Sequence, residues 1–85
     1  MWIKTIDNCL IRLEDISYIH TIIKTNEDNI EVCIIANMKT ECMDKVLYKG
    51  IEPTLELANI HANAVLDAIL YNIEKNVAFI DWKEI

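Results

Sequence analysis

Two histidines, three cysteines and fourteen acidic side chains are the groups in this 85-residue chain with chemistry to offer, and their spacing organises none of them. A thiol–imidazole pair needs a cysteine held within hydrogen-bond reach of a histidine. His20 falls on the apolar face of a strand pattern and His61 on the border between two helix faces, so both read as packing or surface residues. Met38, Cys42 and Met43 with His61 would suit copper(I), which prefers soft sulfur ligands. The segment around them reads as turn or strand, and packing sulfur explains them more simply. Cys9, Cys33 and Cys42 lack the paired spacing of a zinc or redox motif, and three thiols cannot all pair in one chain. Reduced, partly buried thiols of a cytoplasmic protein are expected.

The acids sit in short groups: Glu14-Asp15, Glu27-Asp28, Glu41 with Asp44, and Glu52 with Glu56. They lack the oxygen-ligand spacing of a calcium loop and read as solvated loop residues. With one glycine there is no Gly-rich phosphate loop. The expectation is a chain without catalytic residues, metal or cofactor.

Composition narrows the partners. Fourteen acids against eight basic residues give a net charge of −6, and Arg12 is the only arginine. Nucleic-acid affinity rests on lysine and arginine neutralising phosphates, so no nucleic-acid partner is expected. No apolar run approaches the ~20 residues that span a bilayer, and the N-terminus reads as neither signal nor transit peptide. The expected location is the cytoplasm. A chain of this length folds as one domain, residues 1–85, with a thin stability margin. Its 53% hydrophobic content is what lets so small a domain fold without disulfides.

The elements follow from pattern. β-Branched and aromatic residues dominate the first half, as in strands. Strands are expected over residues 2–6, 10–13, 16–25, 30–37 and 46–51. Asp7-Asn8 reads as a turn and the polar run 26–29 as a hairpin loop. One face of the third strand should carry Ile16, Tyr18, His20 and Ile22. One face of the fourth should carry Ile30, Val32, Ile34 and Ala36, while Cys33 and Ile35 make its other face unusually apolar. Residues 39–44 form a weakly specified turn. Gly50 is read as the bend toward a helix that starts after Pro53, is capped by Thr54 and stops at Asn76. Residues 77–82 should return as a terminal strand, bringing Trp82 toward Trp2. The fold class is α+β: a four- to five-stranded antiparallel sheet, a β-meander, with one long C-terminal helix packed on one face and a short closing strand.

At 100° per residue the helix has two apolar faces. Leu55, Ala58, Ala62, Val65, Leu66, Ile69 and Ile73 suit packing on the sheet. Leu57, Ile60, Ala64, Ala68 and Tyr71 form a second stripe roughly opposite. Bulky ends around small central residues allow close approach of two helices. That stripe is expected to be the interface of a homodimer, or a contact for another protein; the alternative is cover by the chain's own terminal strand or a loop. A rival function is a small-ligand sensor with its pocket between helix and sheet near Tyr18, His20 and Trp82.

The layout resembles a loose group of short, uncharacterised bacterial and phage-associated proteins. The residues that carry the resemblance are Trp2-Ile3-Lys4-Thr5, then Leu10-Ile11-Arg12-Leu13-Glu14-Asp15-Ile16, and Leu47-Tyr48-Lys49-Gly50 before a helix and a closing strand. It implies this order of elements; the expectation of an accessory role in a phage, mobile element or regulatory complex comes instead from the two-faced helix and the absence of reactive spacing. It brings no activity and no catalytic residue. The strongly apolar helix departs from the group's pattern.

Overall fold

A computed structural model describes residues 1–40 and 44–81. In chain order these form β1 (Trp2–Lys4), β2 (Leu10–Arg12), a 3-10 turn (Leu13–Asp15), β3 (Ile16–Thr25), β4 (Ile30–Met38), β5 (Lys45–Glu52), α1 (Leu55–Glu74) and β6 (Phe79–Ile80). The architecture is α+β, with the expected antiparallel meander, long helix and closing strand. Its strands are divided between two three-stranded sheets, ordered β3-β4-β5 and β2-β1-β6. The smaller sheet contains one parallel pair, since β6 runs alongside β1 with Ile3 opposite Ile80. The backbone N–H of Ile6 donates to the Val46 carbonyl at 3.1 Å and ties the end of β1 to β5.

Local sequence explains most boundaries. Asn8 takes the left-handed conformation (φ 65°) that asparagine tolerates, and the Asn8 N–H donates to the Thr5 carbonyl, so the chain turns and β2 pairs back on β1. Asn26 and Asn29 close the β3–β4 hairpin through backbone and side-chain hydrogen bonds. Thr54 caps α1, its hydroxyl accepting from the Leu57 N–H at 3.2 Å. At the other end Asn76 is left-handed (φ 54°), and the N–H groups of Asn76 and Val77 donate to the carbonyls of Ile73 and Asn72. This pair of bonds satisfies carbonyls that the last helical turn leaves open.

The core has two parts. Under the N-terminal half of α1, Ala58 and Ala62 pack on Ile30 and Val32, with Ile23 alongside. Under the C-terminal half, Val65 and Ile69 meet Ile34, Ala36 and Leu47 of the larger sheet together with Ile3, Ile11 and Ile80 of the smaller. One helix thus holds both sheets. Ile30, Val32, Ile34 and Ala36 are all buried, as the alternation implies.

Three expectations are corrected. Ile16 does not share a face with Tyr18, His20 and Ile22. A bulge between Ile16 and Tyr18 turns Ile16 into the core and leaves the other three on the far side of the sheet. Gly50 does not bend the chain out of β5; it is paired with Val32 inside the strand, and its φ is not positive. The space its missing side chain leaves is filled by His61. Leu55, assigned to the packed face, is exposed.

Candidate functional site

The outer stripe of α1 is one of several places where large apolar side chains are exposed; Ile6, Leu10, Tyr18, Ile51 and Leu70 are others. Leu57 is 44% exposed, Ile60 59% and Tyr71 60%. Ala64 is exposed and Ala68 half-buried. All five expected residues thus share one face of one continuous helix, and among the described residues no strand or loop closes over it. The stripe is symmetric about Ala64. Leu57 and Tyr71 stand seven residues to either side, and Ile60 and Ala68 four. Lys75 lies over the Tyr71 ring, its Nζ 5.6 Å from the centroid.

A second constellation was not legible in the sequence. The Tyr48 hydroxyl and His61 Nε2 are 2.6 Å apart, with the two rings edge to face. His61 Nδ1 is 3.0 Å from Glu52 Oε1, off the line of a hydrogen bond. A phenol on one ring nitrogen and a carboxylate near the other hold the imidazole in a single orientation. With the proton on Nδ1, the Tyr48 hydroxyl donates to Nε2. Tyr48 and Glu52 lie four residues apart on β5, on the side facing α1, and Gly50 between them leaves room for the ring. The one signal available was that lone glycine inside a strand pattern, which marks a close approach by another group.

Tyr48 also lines a cleft of about 420 Å³ between the smaller sheet and β5. Leu47 forms part of its lining, with Ile6, Thr5 and Asn8 beside it and the Lys4–Asp81 ion pair at 3.9 Å. This cleft is not where the small-ligand reading placed a pocket. Tyr18 and His20 lie side by side, ring centroids 5.5 Å apart and tilted by 40°, on the sheet face turned away from α1, so they cannot line a space between helix and sheet. Trp82 lies outside the described residues.

The remaining candidates disperse. Cys33 is buried, its thiol donating to Glu31 Oε1 at 3.3 Å, and burial first, then that carboxylate, push its pKa up. The same bond, followed by Lys49 at 3.4 Å, holds the Glu31 carboxyl below its usual range. Cys9 is exposed. Met38 packs against the core, while Cys42 and Met43 lie outside the described residues. Trp2 stands opposite Phe79 on the smaller sheet, which brings the two ends of the described chain together as expected. No described helix is long and apolar enough to cross a membrane. No protein-family model, curated protein or solved structure matches the chain.

Proposed function

We propose that this protein is a non-enzymatic interaction module that works as a homodimer through the outer stripe of α1. The observation that carries the reading is the order of side chains along that stripe. Two copies placed antiparallel about Ala64 set Leu57 against the second copy's Tyr71, and Ile60 against the second copy's Ala68. Large meets small only where Ile60 faces Ala68, and the small centre lets the axes approach to about 8–10 Å. The same arrangement brings Lys75 of each copy toward Glu56 of the other. A twofold contact of this kind is the commonest symmetry among homo-oligomers.

The five side chains expose on the order of 400 Å² per copy, about half of what a standard-size interface buries on each partner. The dimer is therefore of modest affinity, on the order of micromolar. A net charge of −6 on each copy opposes association, so the dimer tightens as salt screens that repulsion. The non-enzymatic part of the reading is supported by the commitments within the chain: His61 faces Tyr48 and Glu52 with its two nitrogens, and the Cys33 thiol is bound to Glu31. An accessory role in a phage, mobile element or regulatory complex fits a small domain of this kind.

Sedimentation velocity between about 1 and 300 micromolar, a range that brackets such an affinity, tests the reading. The expected result is a reversible self-association that Ala64→Glu weakens without loss of the fold. A wild-type monomer throughout would overturn it. The second reading, a small-ligand sensor, rests on the cleft beside Tyr48, whose size falls in the range of ligand pockets. A thermal-shift screen separates the two, since a ligand bound only by the folded state raises Tm at fixed protein concentration.

A further inference from the structure

The edge of the larger sheet carries a feature independent of the helix stripe. β3 is its longest strand, ten residues, and stands at the end of the β3-β4-β5 order. Its outward N–H and C=O groups form an open row, with no strand paired there among the described residues. Natural sheets blunt such edges with proline, repeated lysine, bulges or short strands. β3 has no proline, and from Ile16 to Ile23 it has no charged side chain; Lys24 is its only one. Its single irregularity, between Ile16 and Tyr18, lies at its start. β5 differs, because Ile6 already donates to the Val46 carbonyl.

We infer that the edge of β3 pairs antiparallel with β3 of a second copy, extending the sheet to six strands. Charge selects the orientation. A parallel pairing sets Lys24 beside the second copy's Lys24. Antiparallel pairing about His20 carries each Lys24 to the exposed 3-10 turn of the other copy, alongside Asp15. The same register places Tyr18 opposite Ile22 of the second copy. Both side chains stand out from the sheet, and an aromatic–β-branched pair is a favourable cross-strand contact. The outer stripe of α1 faces away from the sheet, so the two contacts are compatible.

Hydrogen exchange and sedimentation on the full chain separate the two contacts. In Ala64→Glu the helix contact is removed, and the variant still dimerises. Its Ile16–Thr25 amides exchange about tenfold more slowly at high protein concentration than at low. Tyr18→Lys with Ile22→Lys sets like charges opposite each other and abolishes that concentration dependence. Tyr18→Glu with Ile22→Lys sets opposite charges there and restores it. Both pairs substitute exposed positions, and circular dichroism checks that the fold is kept. If Ala64→Glu is a monomer with concentration-independent exchange in β3, the edge pairing is overturned while the helix contact stands. If Ala64→Glu associates as fully as wild type and only the lysine pair dissociates, the edge pairing stands and the helix reading falls. Should Ala64→Glu unfold, Ile60→Lys at another exposed position serves in its place.

Discussion

Gly50→Ala isolates the contact between β5 and α1. The backbone at Gly50 has no positive φ, so alanine meets no conformational penalty there. The new methyl carbon instead falls 2.5 Å from His61 Cε1 and 3.1 Å from the Tyr48 hydroxyl oxygen. Carbon atoms pack at about 3.5–4 Å, so the imidazole must move by about 1 Å. That displacement breaks the 2.6 Å contact with Tyr48 and disturbs the approach to Glu52. Overpacking of this kind costs about 1–3 kcal/mol and a lost hydrogen bond about 0.5–1.5. Replacing glycine by alanine returns about 0.4–1 kcal/mol through the unfolded chain. The balance is a destabilisation of about 2 kcal/mol, or roughly 8–16 °C in Tm for a domain of this size. His61→Ala removes the ring and its hydrogen bond for about 1–1.5 kcal/mol. It also empties the space the new methyl needs, so the double variant should be no less stable than His61→Ala alone. Urea unfolding of all four proteins at one concentration measures the cycle, with a coupling of about 2 kcal/mol expected for groups in direct contact. Additive losses would refute the idea that Gly50 exists to admit His61.

Ile69→Ala removes the largest fully buried helix side chain from the core that joins the two sheets, and should cost about 2–5 kcal/mol in the same assay. A loss below 1 kcal/mol would mean that the sheets do not depend on α1. Acid should lower the stability slightly. The carboxyls of Glu31, Asp7 and Glu14 are held below their ordinary values, chiefly by the Cys33 thiol, the Thr5 hydroxyl and the Arg12 guanidinium respectively. A depressed folded pKa stabilises above the unfolded value and loses that contribution as pH falls through the folded one. Urea midpoints should be flat above the model-compound values of 4.5 for Glu and 3.8 for Asp, and fall below them. Glu31→Gln should reduce the slope, and a midpoint that rises on acidification would contradict these assignments.

What the sequence revealed depended on period. β3 and the 26–29 loop fall where alternation and polar punctuation put them, and α1 starts at its threonine cap and stops at its left-handed asparagine. These are local signals, and tertiary contacts did not override them. The split of the strands into two sheets was not legible, because β1, β2 and β6 have only three, three and two residues, too short for alternation to show. Their pairing is decided by Ile3, Ile11 and Ile80 converging under Val65 and Ile69. The Tyr48–His61–Glu52 cluster was hidden for another reason. Its members come from two elements, thirteen residues separate Tyr48 from His61, and only their packing angle brings them together. The outer helix stripe lies within one element, so a single angular plot exposed it.

The thinness of the core gives the helix stripe its energetic weight. Of the twenty residues of α1 only Ala58, Ala62, Val65 and Ile69 are buried, and two of these have a methyl group as side chain. Alanine buries little area, so the N-terminal half of the helix is held mainly by Ile30 and Val32 beneath it. The exposed stripe carries bulkier side chains than that half of the packed face. The association proposed above would hide them and bind only the folded state, adding to stability by mass action. That proposal couples folding to assembly, and its expected outcome is a Tm that rises with protein concentration. The rise should vanish when both the helix stripe and the β3 edge carry charge, leaving the stability of the isolated fold.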